Sequence, residues 1–384
     1  MKITAVEATP FRLPRRKDFR WTGLQTGVGR FVLVRLYTDE GTVGVGEAAP
    51  LAEWGGDHGR HSGETQRTVR HMVEEVIGPA LVGNDPLNIE AISAIMDEVV
   101  SGHSYAKAAI DIALHDLLGK TAGLPLYQLL GGAVREALPI AHMVGLMPLQ
   151  EAVEEAASAV SDGIGALQIK GGVDAERDMA LIAALRQRLG TNVWLRLDAN
   201  QGYRDAKTAV GIIRRMEEPG IDAVEQPVAG LERMAEVRAQ VNTLIIADES
   251  CWGPWDALEC AVCRGADAIS IYLAKAGGIT RARRVAAVAE AAGLPCDVNG
   301  SLESGVGNAA NLHFALASTV VRLPCVIPMS ATSGSSPYAV AGNYYEDDIV
   351  TAPFPVADGS LLPLTGPGLG VEVDEGKLER FREG

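Results

Sequence analysis

Three acidic residues close three successive apolar runs: Asp198 in LRLDAN, Glu225 in AVEQP and Asp248 in IIADES, 27 and 23 residues apart. The runs themselves lie at 193–197, 221–224 and 244–247. That spacing is one strand, one helix and two loops. In a parallel barrel the ends of consecutive strands converge on one rim, so the three carboxylates would converge too. Three hard oxygen ligands at one point suit a divalent cation such as Mg2+. Any one of these acids could instead cap the next helix; three at matching strand ends favour ligation. In IIADES the neighbour Glu249 is the alternative to Asp248, because alternation along a strand lets only one of the two face inward.

Lys170 ends the preceding apolar segment, ALQIKGG. An inward lysine beside a metal is expected to have a depressed pKa, since a nearby cation and low dielectric both disfavour its charge. It could then serve as a general base; taken alone, it would read as a surface lysine before a turn. Asn200, two residues past Asp198, shares its side of the strand and is expected to touch metal or substrate. Two long glycine-rich segments, 17–29 and 51–63, are of a length that usually carries function or is disordered. If they cap the barrel, Trp21 and Trp54 would wall an apolar substrate and Arg60 would meet a second acid. The alternative for both is a solvated loop.

The elements that must position these residues fall into two patterns. Residues 1–135 hold three strand candidates, at 3–13, 31–37 and 42–47, the last two flanking the turn signal TDEG. Helical periodicity follows at 64–77, 89–99, 105–121 and 126–130. This is an α+β domain. From residue 136 to 345 a strand–helix period of about 25 residues recurs eight times, as in a (β/α)8 barrel. The segment SATSGSSPYAVAGNYY reads as a loop, and 346–384 as a proline- and glycine-rich tail that returns to the first domain.

The chain has 384 residues, 47% hydrophobic and 22% charged, enough for a large core and two domains. Its net charge of −15 argues against nucleic acid and anionic membranes as partners. No apolar run reaches spanning length, and the N-terminus lacks a signal core. Five cysteines form no disulfide framework, which suits a reducing cytoplasm, and the Cys260–Cys263 pair reads as structural rather than metal-binding or redox-active.

Over nearly its whole length the chain resembles the enolase superfamily, specifically its muconate lactonizing enzyme subgroup. The residues that carry the resemblance are LRLDANQGY, VEQP, ADES, the AKAGG turn, LESGVG and GPGLGV. It implies Mg2+ held by Asp198, Glu225 and Asp248. Lys170, as the second position of the family's Lys-x-Lys motif, would remove the proton α to a substrate carboxylate, as such lysines do in these sites. It also implies a capping domain whose loops close over the site. The departures matter more. The first lysine of the motif is Gln168 here. Where the family usually has a second catalytic lysine, five residues before the double glycine, stands Tyr272. Lys275 lies three residues further on; strand parity turns it away from the barrel axis, so it reads as a structural or surface lysine and Tyr272, not Lys275, is expected to face Lys170. No histidine sits in LPCDVNG to act as a base. LESGVG is one residue shorter than the family norm, and Glu303 within it either orients substrate or caps the next helix.

With one clear base, the expected chemistry is β-elimination or cycloisomerisation of a small carboxylate, with Tyr272 returning protons at most. Racemisation or epimerisation, with Tyr272 or Lys275 as second acid, is the alternative. A non-catalytic metal-binding barrel and a Schiff-base aldolase are more remote. A homo-oligomer is expected.

Overall fold

The computed structural model describes residues 1–25, 27–330 and 338–383. Of the loop expected at 330–345, residues 331–337 lie outside the described residues. The N-terminal region is an antiparallel meander: β1 (Ile3–Arg12), β2 (Arg30–Thr38) and β3 (Val43–Ala48) in that order. The TDEG turn joins β2 to β3, whose register runs from Tyr37↔Val43 to Val32↔Ala48. Helices α1 (Gln66–His71), α2 (Gly78–Leu81), α3 (Ile89–Val99), α4 (Ser104–Ala122) and α5 (Leu126–Leu129) follow. The periodicity expected over 64–77 is split, because Met72–Ile77 winds as a π-helix between α1 and α2. Helix α4 is buried on nearly every face and lies directly on β3. A Cβ at Gly46 would sit 2.0 Å from the Ala109 carbonyl, so only glycine permits that approach.

After the short β4 (Leu138–Pro139) the chain alternates strand and helix: β5 (Ala141–Val144), α6 (Leu149–Ser161), β6 (Ala166–Lys170), α7 (Ala175–Leu189), β7 (Trp194–Asp198), α8 (Ala206–Glu217), β8 (Ala223–Glu225), α9 (Leu231–Arg238), β9 (Leu244–Ala247), α10 (Pro254–Cys263), β10 (Ala268–Ile271), α11 (Leu273–Ala276), α12 (Ile279–Ala292), β11 (Cys296–Val298) and α13 (Gly305–Ala317). Strands β5 to β11 form one parallel sheet in sequential order. Their short, almost wholly buried sequences suit a sheet covered on both faces. Asp174 and Asp205 cap α7 and α8 by accepting backbone N–H groups of their first turns. The eighth strand is reduced to single parallel bridges, Cys296↔Val321 and Ile140↔Cys325, which place 321–325 between β11 and the start of β5. Pro324 and Pro328 remove ladder donors there, so the ring closes without a regular strand.

The remaining elements are β12 (Met329–Ser330) beside β13 (Asn343–Tyr345), β14 (Val356–Ala357) beside β15 (Ser360–Leu361), and α14 (Glu375–Phe381). Residue 382 bridges to Phe11, and the Glu383 N–H donates to the Pro10 carbonyl, so the tail lies along β1. The cysteines are free thiols; on α10, Cys260 is buried and Cys263 half-buried. No helix among the described residues is long and apolar enough to cross a membrane.

His313 on α13 ties the tail to α5. Its Nδ1 accepts the Tyr127 N–H at 3.2 Å, and its Nε2 is 2.9 Å from the Leu369 carbonyl. That pairing fixes the neutral ring, and burial lowers its pKa to about 4. A histidine depressed in the folded state contributes stability above its unfolded pKa and loses it as pH falls through the folded value. The share lost between pH 6.5 and 4 should be on the order of 3 kcal/mol. Urea midpoints of the wild type and His313→Asn across this range should show a shallower acid slope in the variant; equal slopes would remove His313 from acid unfolding.

Candidate active site

Register sets the first layer of the site. Lys170 pairs with Asp198, and Asp198 with Glu225, so these three stand abreast on β6, β7 and β8. One pleat below, Gln168 is paired with Arg196. Asp248 lies one residue past β9. Alternation no longer governs there, and both neighbours turn toward the site: Asp248 lines the cavity, while Glu249 accepts from Asn200 Nδ2 at 3.0 Å. The expectation that only one of the two could do so is corrected by the end of the strand at Ala247. The turn after Lys170 is tight. Gly172 has φ +91°, and a Cβ there would sit 2.1 Å from the Ala199 carbonyl.

The cavity lies where these strand ends meet the N-terminal loops. Lys170 donates to Asp198 and lies 3.5 Å from Asn200 Oδ1, with the Trp21 ring centred 5.4 Å from its ammonium. The loop carrying Trp21 is tied to the same strand end, since the Thr22 hydroxyl donates to the Gly171 carbonyl at 2.7 Å. Trp54 stands opposite, 5.0 Å from the Tyr272 ring and 5.1 Å from Trp252. Leu51, Met143, Leu302 and Val326 complete an apolar wall, and Asn299 and Ser301 add polar atoms. Asn299 was legible in principle: it follows Asp297 by two, as Asn200 follows Asp198.

Lys275 departs from the sequence expectation. Its ammonium lies inside the barrel, donating to Asp248 Oδ1 at 2.7 Å, to the Asp248 carbonyl at 2.8 Å and to the Ser270 carbonyl at 2.8 Å. The physical reason is that β10 ends at Ile271 and residues 273–276 coil into the helical turn α11. Positions three apart face opposite ways in a strand but the same way in a helix. Tyr272 therefore shares the site with it, its hydroxyl donating to Asp248 Oδ2 at 3.2 Å. Burial first, then the surrounding carboxylates, push the Tyr272 hydroxyl well above its usual pKa. The start of α12, just beyond the turn, is pinned from α4, where Asp111 accepts the Thr280 N–H at 3.2 Å and the Thr280 hydroxyl at 2.5 Å.

Three further placements differ from expectation. Arg60 does not line the cavity; it pairs with Asp256 at 2.6 Å, its side chain 45% exposed. Glu303 stands behind the lining, accepting the Ser301 N–H at 3.0 Å, and burial raises its carboxyl to about 7. Lys170 is raised rather than depressed: burial pulls its pKa down, but the charges of Asp198 and Glu225 and the Asp198 hydrogen bond outweigh it. The expectation presumed a compensating cation among those acids.

Beneath the rim, Arg196 is fully buried, paired with Asp297 and 3.3 Å from Glu225 Oε2. With every group ionised, five carboxylates (Asp198, Glu225, Asp248, Glu249, Asp297) and three cations (Lys170, Arg196, Lys275) would meet here, a surplus of two negative charges, and burial of that surplus pushes the Glu225 and Glu249 carboxyls up, the latter to about 8. One divalent cation would balance it. Burial, reinforced by Asp198, Asp248 and Asp297 against the opposing pull of Arg196, drives the Glu225 carboxyl well above its usual range. Its Oε1 is buried with no hydrogen-bond partner. Among the described residues no three acidic, histidine or cysteine side chains are gathered tightly enough to hold an ion as they stand; Lys170 pairs with Asp198 and Lys275 with Asp248. An all-oxygen donor set with an orphaned carboxylate oxygen and that surplus charge nonetheless fits Mg2+.

A parallel α/β barrel with acids at consecutive strand ends and lysines flanking them defines a class of barrel enzymes. Residues 7–131 match the mandelate racemase / muconate lactonizing enzyme N-terminal domain, and residues 151–377 the enolase C-terminal domain-like family. The chain belongs to this family, within the enolase superfamily. It is 32% identical to the N-succinyl-L-Arg/Lys racemase of Bacillus cereus, over 99% of this chain and 98% of the racemase. It is 33% identical to muconate cycloisomerase 1 of Rhodococcus opacus, over 97% of this chain and 96% of that enzyme. The crystal structure of a dipeptide epimerase from Enterococcus faecalis, complexed with Mg and the dipeptide L-Leu-L-Tyr, superposes with a TM-score of 0.86 at 32% identity, covering 97% of this chain and 100% of that one. These relatives span both outcomes expected from the sequence, cycloisomerisation on one side and racemisation or epimerisation on the other.

Proposed function

We propose that this chain is a Mg2+-dependent enzyme that enolises a small carboxylate with Lys170 and Lys275 as base and acid on opposite faces, one lysine taking the α-proton and the other delivering its own, racemising or epimerising an N-acylated or dipeptide-like amino acid. The observation that carries this is the Lys275 ammonium inside the barrel. Strands β6 and β10 are four apart in a ring of eight, so the two lysines approach from opposite sides, with the acids of β7 to β9 between them. One lysine can take the proton from one face while the other, starting as the ammonium, delivers its own proton to the opposite face. Asp198, Glu225 and Asp248 would hold the metal, which when bound supplies positive charge for the substrate carboxylate oxygens as the proton leaves. Trp21, Trp54, Leu51 and Met143 would pack the substrate's remote part and exclude water. As the loops stand, the cavity is about 30 Å³, room for a water but not a substrate, so the loops bearing Trp21 and Trp54 must shift for entry.

A second reading, cycloisomerisation or β-elimination through the same chemistry, is favoured by the muconate cycloisomerase relative and by Tyr272, which can donate a proton but not readily abstract one. Incubation with Mg2+ in D2O separates the readings, using N-succinyl-L-arginine, L-Ala-L-Glu and cis,cis-muconate in turn. Deuterium at the α-carbon with product of both hands supports the first; a lactone or unsaturated product with no inversion supports the second. Absence of exchange with every acyl amino acid and dipeptide would sink the racemase reading.

Asp198→Asn should leave the far-ultraviolet circular dichroism unchanged and abolish Mg2+-dependent exchange. A loss of about 10³-fold or more is expected, because metal charge stabilisation is worth several kcal/mol. Exchange within tenfold of wild type would exclude Asp198 as a ligand.

A further inference from the structure

The ring of strands has a charged side and a neutral side. Acids stand at the ends of β7, β8 and β9, and lysines flank them on β6 and α11. Across the ring lie β11, the closing segment 321–325 and β5. Their contributions to the cavity are Asn299, Val326 and Met143, all uncharged, with Leu302 beside them. The polar atoms of this wall are already committed. Asn299 Nδ2 donates to Ser270 Oγ at 2.8 Å, and its Oδ1 accepts the Val326 N–H at 2.9 Å. The Met143 N–H donates to the Tyr344 hydroxyl at 2.6 Å, and the Ser301 hydroxyl lies 3.1 Å from that of Tyr105. Two acids stand behind the wall rather than in it. Asp297 pairs with Arg196, and Glu303 packs against Gly300 with its Oε2 buried and no room between them for a Cβ. The lysine and arginine side chains of the two capping loops are engaged elsewhere: Lys17 with Glu155, Arg20 with Asp18 and Arg60 with Asp256. Residues 331–337, outside the described residues, read ATSGSSP and carry no charged side chain.

We propose that the substrate is a monoanion: an N-acyl amino acid with an apolar side chain and an uncharged acyl group, its single charge the carboxylate at the reacting end and its remote part on the wall of Met143, Leu302 and Val326. This rests on the racemase reading above and narrows it. A second charge carried to this wall would leave water and meet no partner, and an unpaired buried ion is costly. An apolar group there loses nothing and gains contact with three aliphatic side chains and the two tryptophans. The wall is built on barrel strands, so the loop shift that admits substrate leaves it in place. N-succinyl-L-arginine and L-Ala-L-Glu each carry two charges beyond the reacting carboxylate and should therefore be poor substrates.

The test is the rate of α-proton exchange in D2O with Mg2+, followed by mass spectrometry, for N-acetyl-L-leucine, N-succinyl-L-leucine, N-acetyl-L-arginine and L-Ala-L-Leu. The first carries only the reacting carboxylate; the others add an anionic acyl group, a cationic side chain and a free ammonium. For each of these three, kcat/KM should be lower by about a hundredfold or more. Met143→Glu places a carboxylate on the wall and should move the ratio of N-acetyl-L-arginine to N-acetyl-L-leucine exchange toward arginine by about tenfold or more. A ratio is insensitive to how much of the variant is folded. Exchange of any of the three further-charged probes within tenfold of N-acetyl-L-leucine overturns this inference and leaves the racemase reading standing. A ratio that Met143→Glu leaves unchanged moves the remote part off this wall and overturns it too. No exchange with any of the four probes removes the racemase reading, and the inference with it.

Discussion

Lys275→Ala should abolish proton transfer at one face of the substrate and Lys170→Ala at the other, each lowering racemisation by about 10²–10⁴-fold, the range for a positioned acid–base group. The asymmetry distinguishes this from simple damage. Each enantiomer of a substrate in D2O presents its α-proton to one lysine only. Lys275→Ala should therefore still exchange the hand that faces Lys170, without inverting it, and Lys170→Ala should show the reciprocal pattern. The motive is geometric: the Lys275 ammonium is buried and makes three hydrogen bonds at Asp248 and Ser270, and α11 holds it on the same side as Tyr272. Tyr272→Phe removes one hydrogen bond to Asp248 and should slow turnover without erasing exchange of either hand. Exchange of both hands lost equally in Lys275→Ala, with a lowered melting temperature, would reduce Lys275 to an ion-pair partner of Asp248. Racemisation within threefold of wild type would remove it from the mechanism.

The second large effect is on stability. Arg196 is fully buried between Asp297 and Glu225. Arg196→Met keeps much of the volume and strands both carboxylates in low dielectric, which costs about 3–5 kcal/mol when one partner of a buried pair is deleted. The urea midpoint at pH 7 should fall accordingly. Adding Asp297→Asn to that variant should recover part of the loss, because the stranded charge and not the missing guanidinium carries most of the penalty. Additive losses would show that the two residues do not act as a pair. A loss under about 1 kcal/mol for Arg196→Met would mean that the carboxylates below the rim take up protons without cost.

Spacing alone determined the barrel, the strand-end stations of Asp198, Glu225 and Asp248, and Lys170 on the strand before them, because a parallel barrel repeats one structural period and brings each strand end to the same rim. The tertiary structure decided what happens where a strand stops. Beyond Ala247 and Ile271 the period of two no longer holds, so Glu249 reaches Asn200 and Lys275 enters the site. Sequence parity could not show where the strand would give way to the turn α11, which leads into a helix whose first turn is held by Asp111 from more than 150 residues earlier. Loop residues were the least legible. Trp21 and Trp54 reach the cavity because Thr22 ties one loop to Gly171 and Trp252 supports the other, whereas Arg60, in the same loop as Trp54, finds Asp256 first. Charge balance was hidden for the same reason: Arg196, Asp297 and Gln168 sit at ordinary core positions of three strands, and only closure of the barrel turns them into one electrostatic unit.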